Sequence, residues 1–156
     1  AKFREFDVPE IQRCDLTECI LKLKSLGIDN ILNFDFISPP PVIAVTYALE
    51  LLYALHIIDD HCKLTVPFGQ MVSELPCDPK MAVMLIESGA LQCSQEILTI
   101  AAMLSIKHIW SNRSMSKIAR TKQNEMKLKF AVLEGDHLTY LNIFNSFVLN
   151  KQDGNW

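Results

Sequence analysis

The sequence has 156 residues, 49% hydrophobic and 21% charged, a balance that suits one ordinary domain or two small ones and excludes disordered or collagen-like chains. Mean hydropathy is +0.16, but the most apolar run, Val42 to Leu55, is broken by Thr46 and Glu50 and falls short of the roughly 18–20 residues that span a bilayer. The formal net charge of −3 is split: residues 1–78 carry 6 Lys/Arg against 12 Asp/Glu, residues 79–156 carry 9 against 6.

The first half reads as short helices followed by a hairpin. Pro9 opens a helical turn through Arg13. Asp15 is placed to cap a helix on which Leu16, Cys19, Ile20, Leu23 and Leu26 recur at spacings of three and four, and Gly27 stands where a left-handed C-terminal residue belongs. Asp29 to Leu32 forms another turn. Ser38-Pro39-Pro40-Pro41 is a rigid corner, because three prolines continue neither a strand nor a helix interior. From it a helix launches with Val42, Val45, Ala48, Leu49, Leu52 and Leu55 as its inward stripe. Asp59-Asp60 makes a turn, Lys63-Leu64-Thr65 begins a strand, Pro67-Phe68-Gly69 reverses the chain, and Met71 to Leu75 returns as the partner strand. Three helices and a two-stranded hairpin is the order of a winged helix.

The second half reads as all-helical. Asp78-Pro79 starts a helix with Met81, Met84, Leu85 and Ile86 inside, closed by Gly89. Ser94 caps the next, with Ile97, Ile100, Ala101 and Leu104 buried and Met103 on the same core side. A basic stretch follows, helical from about Met115 to Phe130. Within 107–129, Lys107, Arg113, Lys117, Arg120, Lys122, Lys127 and Lys129 face a single acid, Glu125, so a polyanion contact competes with a solvated helical surface. Gly135-Asp136 opens a last helix with Leu138, Leu141, Phe144 and Val148 on its apolar face. Its other side carries Thr139, Asn142, Ser146 and Asn150, short hydrogen-bonding groups without charge.

The opening Ala-Lys-Phe-Arg has neither an initiator Met nor an apolar signal core, which reads as a piece of a longer polypeptide. Five cysteines (Cys14, Cys19, Cys62, Cys77 and Cys93) are odd in number and form no CxxC pair, so free, mostly buried thiols in a reducing compartment are expected.

No complete catalytic set emerges. His56, Asp59 and His61 have the types of a divalent metal site, but Asp-Asp at a turn has a local purpose, since carboxylates accept from free backbone amides. Cys93 and Ser94 at a helix start read as a cap beside a small hydrophobe, and His108 and Trp110 as packing residues. There is no GxSxG, GxGxxG or GxxxxGKT.

Several strings together carry a family resemblance. They are Val8-Pro9-Glu10-Ile11-Gln12-Arg13, Leu21 to Ile28 (LKLKSLGI), Phe34 to Pro41 (FDFISPPP), Ala48 to Leu55 (ALELLYAL), Cys93 to Met103 (CSQEILTIAAM) and Gly135-Asp136-His137-Leu138-Thr139. In this order they cover nearly the whole chain. The chain resembles the region that follows the motor of DEAH-box RNA helicases, nearest to the spliceosome-associated branch.

The resemblance implies a mainly α architecture: a winged-helix domain over 8–76, then a helical-bundle ratchet domain over 77–156. It implies two RecA-like motor domains and an OB fold as neighbours in the parent chain, which hydrolyses ATP with Mg in the motor and is nuclear. The chain itself then has no catalysis, cofactor, metal or membrane partner. Its role is part of the wall that holds single-stranded RNA during translocation. Face geometry, placed on the ratchet by the resemblance, selects Lys127, Lys129, Thr139, Asn142 and Ser146 as RNA contacts. The resemblance also implies a G-patch protein docking on the winged helix, whose acidic, apolar half suits a basic amphipathic helix. A stand-alone protein-interaction module without RNA affinity is the alternative. Two departures stand out: His56-Ile57 replaces small, glycine-type residues, and 112–126 drifts from the family pattern.

Overall fold

The structure is a computed structural model that describes residues 7–106, 109 and 117–152, with the backbone alone at 117–120, 122–123 and 152. His108, Trp110, Lys107 and Arg113 lie outside the described residues. The elements are a 3₁₀ turn, Glu10–Gln12, and seven α-helices: α1 Thr17–Ser25, α2 Val42–Ala54, α3 Phe68–Glu74, α4 Pro79–Ala90, α5 Ser94–Ser105, α6 Lys117–Leu128 and α7 Asp136–Gln152. Two compact units divide within α4, at Ile86 and Glu87.

In the first unit α1 packs on α2 and α3. Leu16, Ile20, Leu21, Ile31, Val45, Ala48, Leu52, Ile57, Ile58, Val72 and Ala82 form its core. Each large aliphatic side chain buried there contributes about 1.5–3 kcal/mol. The inward face of α1 differs from expectation. Leu21 and Thr17 are buried, whereas Cys19 and Leu26 are exposed. Lys24 is also buried at 4% exposure, its ammonium donating to the Asp29 carbonyl at 2.9 Å. On α2, Val42 is exposed while Val45, Ala48 and Leu52 face the core.

Leu16, not Asp15, is the N-cap residue of α1, but Asp15, one residue earlier, still bonds the first turn. Its Oδ1 accepts from the Thr17 amide at 2.8 Å and from the Thr17 hydroxyl, relieving one of the unpaired N–H groups of the first turn. These bonds hold the Asp15 carboxyl below its ordinary value, the hydroxyl foremost.

Three helices end in the same way. After α1, Gly27 is left-handed at φ 83, with Ile28 N–H donating to Leu23 O and Gly27 N–H to Lys24 O. After α2, His56 takes that position at φ 57, with Ile57 N–H on Leu52 O and His56 N–H on Tyr53 O. After α4, Gln92 does so at φ 57, with Cys93 N–H on Ser88 O. The paired bonds satisfy carbonyls left over at each helix end. Gly89, expected to close α4, lies inside it.

The small β-hairpin is absent; among the described residues there is no strand. Ile58 and Leu64 form one isolated antiparallel bridge. Met71–Glu74, expected to be a strand, lies in α3. The reason is spacing. Phe68, Val72 and Leu75 recur at four and three and all touch the core, which is the period of a helix. Thr65 starts that helix: its hydroxyl accepts from Gly69 N–H at 2.9 Å and donates to the His56 carbonyl at 2.9 Å. Gly69 lies so close to this turn that an added Cβ would meet Ile57 O at 2.1 Å.

In the second unit α5 packs against α7, burying Ile100, Met103 and Ile143. Ser94 is the first residue of α5 and supplies no cap, the preceding Cys93 being the N-cap residue. The Ser94 hydroxyl instead accepts from Ser88 Oγ at 3.1 Å. The thiols also depart from expectation: Cys14, Cys19 and Cys62 are exposed, and Cys77 and Cys93 half-buried. No helix among the described residues is long and apolar enough to cross a membrane.

Candidate nucleic-acid interface

The five residues singled out on α6 and α7 occupy two settings. α7 begins after Gly135, whose φ of 122 suits only glycine comfortably. Polar and apolar residues are mixed around this helix, so its inward stripe is set by packing. That stripe is Thr139, Ile143, Ser146 and Asn150, spaced four, three and four. Thr139 and Ser146, expected on the outer polar side, are therefore half-buried. Asn142 is exposed, as are Leu138 and Val148, expected inside, whereas Leu141 is half-buried as expected and Phe144, though partly exposed, lines a groove with Met103 of α5.

Hydrogen bonds give this polar file a local purpose. Thr139 Oγ1 accepts from the Val132 amide at 3.2 Å and donates to the Gly135 carbonyl at 3.1 Å. Asn142 Nδ2 points to the Phe130 carbonyl at a long 3.5 Å. The Ser146 carbonyl accepts from Asn150 Nδ2 at 2.7 Å. Thr139 and Asn142 thus hold the α6–α7 turn onto α7.

The cations differ as well. Lys127 is half-buried and has a partner within the protein. Lys129 is exposed at the exit of α6, where its amide and that of Phe130 close the last turn on Met126 O and Lys127 O. Its ammonium has no partner among the described residues. The structure brings Lys129, Thr139 and Asn142 to one place, the latched turn, and puts Ser146 further along α7. The backbone partners at Phe130 and Val132 had no signal in the sequence beyond the Gly135 helix start.

In the first unit, the Asp59 carboxylate accepts from the amides of His61 (2.9 Å) and Lys63 (2.8 Å). The Lys63 bond leads in holding this carboxyl below its ordinary value. Tyr53 donates to Asp60 at 2.7 Å, and that bond pushes the Tyr53 hydroxyl up. No group of three or more His, Cys, Asp or Glu placed to hold a metal occurs among the described residues. The five glycines stand singly in the sequence, without the glycine-rich loop that commonly cradles a nucleotide phosphate.

Two domain models match this chain in sequence: "Helicase associated domain (HA2), winged-helix" over residues 48–77 and "Helicase associated domain (HA2), ratchet-like" over residues 78–140. The chain belongs to this family and carries the winged-helix and ratchet-like domains of DEAH-box helicases. It is 48% identical over 155 residues to the probable ATP-dependent RNA helicase DHX35 of Homo sapiens. It is 42% identical to the DHX35 homolog of Caenorhabditis elegans, again over 155 residues, and 43% identical over 152 residues to the pre-mRNA-splicing factor ATP-dependent RNA helicase prp22 of Schizosaccharomyces pombe. These alignments cover 99%, 99% and 96% of this chain but only 22%, 21% and 12% of the relatives.

Proposed function

We propose that the chain is the accessory portion of a nuclear, ATP-dependent DEAH-box RNA helicase, divided into a winged helix over 8–76 and a ratchet over 77–156. It forms part of the wall that holds single-stranded RNA while motor domains elsewhere in the parent hydrolyse ATP. It performs no chemical step itself. The observation that carries this reading is the pair of adjacent family matches over 48–140, joined to relatives named as RNA helicases along almost all of the chain.

The physics of the site supports it. A translocating motor needs a grip that ignores sequence, and contacts to phosphate and sugar give one. Lys129 presents an exposed ammonium for phosphate and Asn142 an exposed amide, with the half-buried Ser146 hydroxyl one turn further along α7. Lys127 and Thr139, both engaged internally, shape the surface around them. RecA-like domains and an OB fold of the same parent complete the channel. Binding of the chain to oligo-U tests this reading. Affinity should fall steadily as salt rises from about 50 to 200 mM, and no binding at low salt contradicts it.

One observation favours a second reading, a protein-docking role for the first unit. Pro9, Ile11, Phe34, Asp35, Phe36, Ile37 and Ser38 line an open groove of about 470 Å³, and Ile37 is fully exposed beside it. An amphipathic segment of a G-patch protein suits such a groove. Salt-insensitive binding of that segment, with no affinity for oligo-U, would establish this role in place of the first.

A further inference from the structure

We propose that Thr139 is a positioning residue: by latching the α6–α7 turn to α7 it aims Lys129 at phosphate, and it does not itself touch RNA. This rests on the RNA-wall reading above. The Thr139 hydroxyl has one proton and it goes to the Gly135 carbonyl, while a lone pair takes the Val132 amide. The side chain is half-buried on the stripe that carries Ile143, so a phosphate reaching it would have to break a bond already made. Lys129, by contrast, is exposed with its ammonium unpaired among the described residues. It lies one residue before the carbonyl that Asn142 approaches and three before the amide that Thr139 accepts. Holding backbone groups at 130 and 132 restricts where the Lys129 stem leaves the end of α6, which lowers the entropy lost when its flexible side chain pairs with phosphate.

The test uses Thr139→Val, which keeps shape and removes both bonds, Thr139→Ser, which keeps the hydroxyl, and Lys129→Met. Amide exchange at Val132 reads the latch. Oligo-U affinity against salt reads the contact. Thr139→Val should speed Val132 exchange about fivefold, the equivalent of one modest hydrogen bond, and weaken oligo-U binding with a salt slope smaller by up to about 0.7, one single-strand phosphate contact. Thr139→Ser should restore both. In the Lys129→Met background, Thr139→Val should still speed exchange but change RNA affinity no further. Additive losses of affinity would mean that Thr139 contacts RNA directly and would overturn the proposal, as would unchanged Val132 exchange. If the Val variant melts early, Thr139→Ala, which also removes both bonds and places a good helix former at that position, puts the same question. Absence of oligo-U binding by the unaltered chain defeats the RNA-wall reading and the positioning role with it; accelerated Val132 exchange in the variant would still establish the latch as a structural feature.

Discussion

The Val132 amide donates to the Thr139 hydroxyl across 3.2 Å, joining the turn that leaves α6 to the first turns of α7. That bond changes what the polar file on α7 means. Uncharged donors spaced along a helix suggest a surface offered to a ligand, yet three of the four, Thr139, Ser146 and Asn150, are half-buried on the inward stripe. What remains outward is Lys129 and Asn142, on either side of the latched turn. Under the proposed RNA-wall role, the surface offered to phosphate is therefore smaller than the composition of α7 suggests.

His56 adopts a left-handed conformation at φ 57 in a position where a glycine is strain-free. Its side chain is exposed, and its structural bonds are made by its backbone. His56→Gly should raise stability by about 0.5–1 kcal/mol, strain relieved minus the added freedom of the unfolded chain. Urea unfolding at constant m-value checks this. A lower midpoint would show that the imidazole contributes something its surroundings do not reveal.

Gly69 answers to packing. A Cβ there would lie 2.1 Å from the Ile57 carbonyl oxygen and 2.8 Å from Thr65 Oγ1. Neither partner yields readily, since the first is backbone and the second is held by hydrogen bonds to the His56 and Ile57 carbonyls and from the Gly69 amide. Gly69→Ala should cost about 3 kcal/mol or more and lower the thermal midpoint of the first unit. A midpoint unchanged within error would contradict the close approach.

Asp15 gives a pH signature. Its folded carboxyl is held below the ordinary 3.8, first by the Thr17 hydroxyl and then by the Thr17 amide. A depressed carboxyl stabilises the fold above the unfolded value, and the stabilisation is lost as pH falls through the lower folded value. Asp15→Ala should therefore cost about 1 kcal/mol at pH 7, a penalty that shrinks as pH drops below 3.8. Chemical unfolding at pH 7 and at successively lower pH measures it; a penalty independent of pH would show that the carboxylate charge plays no part.

The thiols separate by environment. Burial pushes the half-buried Cys77 thiol up, with Asp78 adding to the effect, whereas Cys62 is exposed on a turn at φ 58. Thiolate is the reactive species, so iodoacetamide should label Cys62 well before Cys77 near pH 7.5. Peptide mapping of a time course reads the order, and equal rates would contradict it.

Much of the first unit was legible because its helices announce themselves locally. Gly27 ends α1 as a left-handed residue should, the three prolines launch α2, and Asp59 accepts the turn amides its position invites. The failures share a cause: tertiary packing chose between patterns that the sequence left nearly balanced. Phe68 to Leu75 is short and rich in residues that suit either structure, and only contact with the core selected the helix. On α7 polar and apolar residues are mixed around the axis, so no stripe dominated, and packing against α5 buried Ile143. His56 and Gln92 end helices as glycines usually do, and nothing in their chemistry marks that role. The latch itself was invisible, because its acceptor and donor at Phe130 and Val132 are backbone groups.

Photocrosslinking of 4-thiouridine-substituted oligo-U, followed by peptide sequencing, tests the RNA-wall account most directly. The account expects crosslinks concentrated between Met126 and Ser146, weakened by Lys129→Met and competed by unlabelled RNA of unrelated sequence. Crosslinks confined to the first unit, or a yield at the level of a protein that binds no RNA, would contradict it.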